Sequence, residues 1–264
     1  MEKSQNTSRW YDRPWAALIF FTRLPFWRIY QPPKDAYQYV VEFWPLAGWL
    51  TGGVMAGVLF LSAMVFRYEI AIILAIISRL LLTGALHEDG LADFIDGFGG
   101  GHNRQRILDI MKDSHIGTYG VLALIVYMLL LFFALHSIPP IYAILTILAV
   151  DPYAKMLSAQ IVQMMPYART EETAKNHTVY RKFSIASGIC LAIQGMLPIG
   201  LYIWWMWEQV DVYLLILLPG ITMFLLSLFI WRKLRGYTGD CCGALFLLTE
   251  LSAYLLIATN YYNV

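Results

Sequence analysis

The chain has 264 residues, 59% hydrophobic and only 14% charged, with a mean hydropathy of +0.57. A soluble domain is about half apolar and about a quarter charged, so too few polar side chains are present to cover a water-exposed surface; a typical soluble enzyme and a disordered regulator are excluded. The balance of 19 Lys and Arg against 18 Asp and Glu leaves no basic field for nucleic acid.

The composition predicts an all-α polytopic membrane protein, a single integral domain over 1–264. Residues 1–44 form an arm carrying Lys3, Arg9, Arg13, Arg23, Arg28 and Lys34. Within it, 15–21 is apolar but shorter than the roughly 20 residues a span needs. It reads as an interfacial helix on the membrane surface, too short for a secretory signal. Seven apolar stretches follow: 45–66, 70–86, 120–135, 139–165, 185–206, 212–231 and 243–259. The second and third are short, which allows little tilt or a partly re-entrant path.

Loop charges predict the orientation. After the arm, Arg104, Arg106 and Lys112 share one loop, Arg169, Lys175, Arg181 and Lys182 another, and Arg232, Lys233 and Arg235 a third. The intervening connections hold Arg67 alone. This alternation places the N-terminus in the cytoplasm and the C-terminus outside. In the first span Gly48, Gly52, Gly53 and Gly57 form overlapping small-residue spacings. Such a seam lets helix backbones approach and permits a homo-oligomer. Cys190, Cys241 and Cys242 read as small apolar residues, since an adjacent pair rarely bridges.

The segment 87–119 reads as a cytoplasmic active-site loop. It holds six of the 18 acids, Glu88, Asp89, Asp93, Asp96, Asp109 and Asp113. Asp89, Asp93 and Asp96 are spaced i, i+4, i+7, one face of a helix. Carboxylates clustered without nearby cations suit a hard ion, above all Mg²⁺ that also binds substrate phosphates. Glu88 points about 100° away in helical geometry and reads as a ligand of a second ion or a base. Gly97, Gly99, Gly100 and Gly101 offer backbone N–H groups to an anion, with Arg104, Arg106 and Lys112 for further phosphate oxygens. His87, His102 and His115 match no zinc spacing.

Elsewhere Asp151 and Lys155 are i, i+4 within the fourth span, a structural pair or the lining of a cavity. Arg79 and Glu250 are costly in lipid and must face protein or water. Asp240 fits either an N-cap of the last span or a site residue. The polar anomalies outside the spans all fall on the cytoplasmic side, which favours an enzyme over a transporter with midplane acids and related halves.

Leu82-Thr-Gly-Ala-Leu-His-Glu-Asp-Gly-Leu-Ala-Asp-Phe-Ile-Asp-Gly97 and Ile110-Met-Lys-Asp-Ser-His-Ile-Gly-Thr-Tyr-Gly120 resemble the bacterial cobalamin synthase (adenosylcobinamide-GDP ribazoletransferase) family. Phe21-Thr-Arg-Leu-Pro25, Pro166-Tyr-Ala-Arg169 and Gly236-Tyr-Thr-Gly-Asp240 look like its other motifs, in order. The family usually carries an Arg on the helix where this chain has Asp151 and Lys155, and a Gly-rich stretch where it has Glu171-Glu-Thr-Ala-Lys175.

The resemblance implies an inner-membrane enzyme that joins adenosylcobinamide-GDP and α-ribazole, or its 5′-phosphate, with Mg²⁺ and release of GMP. It implies metal ligands at Glu88, Asp89, Asp93 and Asp96, with Asp113 in the metal shell or taking the attacking proton. Substrate contacts are then expected from Gly97, Gly99, Arg106, Lys112, Ser114 and Arg169, with Tyr237 and Asp240 closing the site. Partners are the small-molecule substrates and the bilayer, and no nucleic acid. Two rival classes are a CDP-alcohol phosphotransferase, whose signature Asp89-Gly-Leu-Ala-Asp93 does not match, and a cation-coupled transporter.

Overall fold

A computed structural model describes residues 8–169 and 179–261. Lys3, Glu171 and Lys175 lie outside the described residues. The short apolar helix of the arm is α1 (Asp12–Phe21). Its Ala16, Ala17 and Phe21 are buried, and Arg13 pairs with Glu42 at 2.8 Å in the 3-10 run Lys34–Phe43. That run leads into α2 (Trp44–Ala63), where Pro45 occupies the first turn, a position whose missing N–H is no loss.

α3 (Tyr68–Thr83) has 16 residues and reaches about 24 Å at 1.5 Å per residue, short of the roughly 30 Å hydrocarbon core. The chain then bends by 88° through Gly84 and Ala85, both left-handed at φ 64° and 55°. A left-handed alanine costs about 1 kcal/mol, so packing on both sides holds this corner.

α4 (Leu86–Gly100) and α5 (Arg104–Lys112) make up most of the segment 87–119, and α4 carries Asp89, Asp93 and Asp96 on the helix their spacing predicts. Glycines weaken an isolated helix by about 1 kcal/mol each, but here they are contact points. A Cβ at Gly97 would lie 2.5 Å from Met111 Cγ, one at Gly101 2.5 Å from Ile107 Cγ1, and one at Gly99 3.0 Å from the Tyr119 ring. The glycines let α5 and the start of α6 close on α4. Asn103 caps α5 by accepting from Arg106 N at 2.9 Å.

The remaining helices are α6 (Thr118–His136), α7 (Pro140–Ala159), the single turn α8 (Ile161–Met164), α9 (Ile185–Met206), α10 (Val212–Leu234) and α11 (Gly239–Thr259). Among the described residues six helices are long and apolar enough to cross a membrane, or up to seven if the bent α3–α4 pair is one span. The chain is an all-helical membrane protein. The fifth stretch matches α9 end for end. The second, 70–86, differs, because the corner at Gly84 ends it.

Hydrogen bonds sort the connections into two ends. At one, Arg23 N donates to Leu82 O at 2.7 Å, Ala168 N to Tyr237 O at 2.7 Å and Arg181 N to Gln38 O at 2.9 Å. Arg104 reaches both Leu234 O and Ala168 O. These are the cation-rich segments, gathered from four places in the chain. At the other end the Tyr68 hydroxyl donates to Leu135 O and Ile138 O. α3 therefore runs from the cation-poor end to the cation-rich end.

The core carries two polar knots. Asp151 pairs with Lys155, and Thr51 on α2 donates to Asp151 at 2.9 Å and accepts from Lys155 at 3.0 Å. Gly48 and Gly52 make room for them. A Cβ at Gly48 would sit 2.8 Å from Asp151 Oδ1 and 2.9 Å from Pro152 Cα. Half the glycine seam is thus used inside the chain, while Gly53 and Gly57 stay open. In the second knot Arg79 meets both oxygens of Glu250 at 2.7 Å and Tyr127 at 2.9 Å. The Tyr254 hydroxyl also donates to Glu250 at 3.1 Å.

Candidate active site

α4 crosses the start of α11 at a pair of glycines. A Cβ on Gly90 would stand 3.2 Å from Asp240 Cα, and one on Gly243 3.1 Å from His87 O. The two backbones therefore meet, and the neighbours of these glycines, Asp89 and Asp240, come to one place. Both line a cavity of about 150 Å³ at the cation-rich end. Arg169 enters the same cavity from the 166–169 turn. Phe20 and Phe21 close it from α1, Trp44 from α2, and Tyr167 and Tyr180 from the turn's flanks.

The turn is held by backbone pairing, since Tyr237 N donates to Pro166 O at 3.0 Å and Ala168 N to Tyr237 O at 2.7 Å. Gly236 permits this approach, because a Cβ there would lie 2.8 Å from Pro166 O. Arg169 itself donates to Leu108 O on α5 at 2.7 Å. Burial lifts the Tyr167 phenol to about 12 and raises Tyr180 and Tyr237 as well. These hydroxyls stay protonated at neutral pH and do not act as bases.

Thr238, not Asp240, caps α11, accepting from Cys241 N at 3.3 Å. That corrects the capping alternative and leaves Asp240 in the first turn, where the helix dipole favours a negative charge. Tyr237 is buried at 1% exposure, edge-on to Tyr167 at 5.2 Å. It braces the turn from behind the cavity.

The acidic face of α4 does not stay together. Asp89 is exposed in the cavity, Asp93 is half-buried one turn on, and Asp96 is buried. The face runs from the cavity into the contact with α6. There Asp96 accepts from Gly117 N at 2.7 Å and Gly120 N at 2.8 Å. It satisfies two of the orphan donors at the start of α6 and acts as a cap supplied by another helix. Glu88 turns inward, 4% exposed, with Oε1 3.8 Å from Arg79. Among the described residues no three His, Cys, Asp or Glu side chains gather as a metal group. Helical rotation and the packing of α6 turn Glu88 and Asp96 away from Asp89, so the four carboxylates expected as one metal set do not all face the cavity.

Arg106 and Asp113 lie in a second, shallow cleft with Asp109 and His115. Asp113 accepts from His115 at 2.6 Å, which lowers its pKa and makes it a weak base. Lys112 and Ser114 are exposed beside this cleft. Gly97 and Gly99 lie inside α4, where their N–H groups belong to the helix, so the anion-binding reading of these glycines is corrected too. The aromatic walls carried no flag in the sequence reading. The available signal was the Phe21-Thr-Arg-Leu-Pro25 motif, whose Phe21 proves to be part of the cavity.

Residues 13–258 match the family described as cobalamin-5-phosphate synthase. An adenosylcobinamide-GDP ribazoletransferase of Leptospira interrogans is 32% identical over 259 residues, covering 96% of this chain and 97% of that protein. Proteins of the same name from Vibrio cholerae, 31% identical with 91% of each chain covered, and Shewanella frigidimarina, 32% identical with 91% and 92% covered, are also similar. No solved structure matches the chain. The match spans every motif singled out above, and the chain belongs to the cobalamin-5-phosphate synthase family of membrane-bound transferases.

Proposed function

We propose that the protein joins adenosylcobinamide-GDP to α-ribazole or its 5′-phosphate, releasing GMP, at the cavity between α4 and α11. The observation that carries this reading is the convergence of Asp89, Arg169 and Asp240 from three distant segments on one cavity. In the reaction a ribazole hydroxyl oxygen bonds to the cobinamide-side phosphorus. The phosphorus–oxygen bond to GMP breaks, and the hydroxyl proton passes to a base. Such a transfer depends on positioning and on neutralising the charge that grows on the oxygens.

The donor set fits magnesium. Mg²⁺ is commonly held by one or two carboxylates together with substrate phosphates, not by an all-protein cage. Asp89 and Asp240 would hold it, with Asp93 one helical turn along. Bound there, it supplies Lewis-acid stabilisation of the phosphate oxygens. Arg169 binds the diphosphate, its guanidinium suited to paired phosphate oxygens. Arg106, Lys112 and Ser114 extend the polar surface over which the corrinoid substrate lies. The cation-rich end faces the cytoplasm by the positive-inside rule, and the membrane is the bacterial inner membrane.

The test is GMP release by the purified chain in detergent with lipid restored. Release is expected only with both substrates and with Mg²⁺ present. Release from adenosylcobinamide-GDP alone, or none from folded protein, would refute the proposal. A CDP-alcohol phosphotransferase or a transporter would also give none.

A further inference from the structure

The cavity has a polar side, formed by Asp89, Arg169 and Asp240, and an aromatic side that the reaction does not explain. Phe21 and Trp44 stack at 5.4 Å with planes 12° apart, and Trp44 stacks on the His87 imidazole at 5.8 Å. Phe20, Val41 and Leu86 complete this side. We infer that this aromatic cup seats the planar base of the accepting nucleoside, while the corrinoid stays outside. The inference rests on the transferase reading above and names which substrate enters the cavity.

Size is the first argument. A cavity of about 150 Å³ is of the order that accepts a benzene-sized ring, and a corrin macrocycle cannot enter. The candidates are therefore the flat bases, guanine, the adenine of the adenosyl group and the benzimidazole of ribazole. Polarity decides among them. The cup's walls are aromatic rings, a valine and a leucine, good surfaces for a flat apolar ring. Guanine and adenine present several donors and acceptors on the edge, and each one buried unpaired costs about 1–3 kcal/mol. The carboxylates of the cavity are those assigned to the metal, so none remains to read that edge. The dimethylbenzimidazole of ribazole has two methyl groups and one ring-nitrogen acceptor.

The second argument is a pair of orphaned nitrogens. Trp44 Nε1 and His87 Nε2 are buried and have no hydrogen-bond partner among the described residues. Buried polar atoms are nearly always paired, and the indole nitrogen can only donate. Two unpaired nitrogens in the walls of one cup call for a ligand that brings an acceptor. A benzimidazole ring nitrogen, with its one in-plane lone pair, accepts from one of them, the Trp44 indole, and leaves no donor of its own unsatisfied. His87 and Asp89 both line the cavity, so a base in the cup has the polar side beside it for its ribose.

The experiment is calorimetric titration of the full chain in detergent with α-ribazole and, separately, with GMP. Val41→Phe fills the cup, and overpacking of about 1–3 kcal/mol corresponds to about tenfold weaker α-ribazole binding or more. Trp44→Phe keeps the ring and removes the donor, and about threefold to tenfold weaker binding is expected. GMP affinity should change by less than about twofold in both, within the spread of substitutions away from a contact. If Val41→Phe does not fold, Trp44→Phe carries the test alone. Loss of GMP affinity with α-ribazole affinity kept would place guanine in the cup and overturn the inference. Unchanged α-ribazole affinity in both variants would overturn it as well. A wild type that transfers ribazole while its affinity ignores both variants fails the cup alone. A wild type whose ribazole binding follows the variants, yet which releases no GMP, fails the transferase reading alone.

Discussion

Asp89→Asn lowers GMP release by at least about 100-fold, the scale of losing one charge-stabilising group at a reacting phosphate, and leaves thermal stability unchanged. Asp89 is exposed in the cavity, and no hydrogen bond joins its side chain to another described residue. Nothing in the fold leans on it. The amide keeps the size and removes the charge that would hold a metal. Asp96→Ala should behave in the opposite sense on stability. It strips the partners from Gly117 N and Gly120 N, and two unpaired donors at a helix start cost about 1–3 kcal/mol. Melting curves and GMP release on the two variants check the pair. A stability loss in Asp89→Asn, or none in Asp96→Ala, would reverse the roles given to the first and third acids of α4.

Glu250→Ala destabilises the protein by about 3–5 kcal/mol, because it takes away the paired counter-charge of the buried Arg79 and leaves only Glu88 at 3.8 Å. Arg79 is 2% exposed and Glu250 fully buried, and both Glu250 oxygens accept from the same guanidinium nitrogen. For a chain of this size that loss corresponds to a melting temperature lower by about 10 °C. The double variant Arg79→Met with Glu250→Leu removes both charges and should recover a large part of the loss, as replaced buried pairs do. Recovery will be incomplete, since Tyr127 and Tyr254 lose partners and the buried Glu88 loses the nearby Arg79. Melting in detergent separates the cases. A double variant less stable than Glu250→Ala alone would show that the polar knot itself, not its charge balance, holds α3 to α11.

Much of this architecture was legible before any coordinates. Apolar stretches long enough to span appear as helices within a few residues of their expected ends. The Asp151–Lys155 pair needed only the i, i+4 rule. Arg79 and Glu250 were legible as residues that must avoid lipid, but not as partners, since 171 positions separate them and periodicity is blind at that range. The same limit hid the cap at Asp96, whose partners lie 21 and 24 residues on. The glycines after Asp96 were misread for a different reason. A glycine that admits a neighbouring side chain and one that admits a phosphate look alike in one sequence. Here Met111, Ile107 and Tyr119 fill the space. Apolar residues show no chemistry by type, so Phe20, Phe21 and Trp44 could not be marked as walls of a site.

The candidate site was half visible. Its carboxylates and Arg169 were singled out, but Glu88, Asp89, Asp93 and Asp96 were grouped as one metal set, with Asp113 beside it. The fold separates them through the glycine crossing of α4 and α11, which favours Asp89 and Asp240 and turns Glu88 and Asp96 elsewhere. Asp240 is the member on which this separation rests, because it lies 151 positions from Asp89 and had a plain alternative as a helix cap.

GMP release by Asp240→Asn, measured beside wild type with both substrates and Mg²⁺, tests the cavity as the site of transfer most directly. The account predicts a fall of at least about 100-fold, while the amide keeps an oxygen to accept from Thr238, which donates to Asp240 at 3.4 Å and still caps α11. Release within about twofold of wild type, inside the range of substitutions that touch nothing essential, would contradict it and move the chemistry away from the meeting point of α4 and α11.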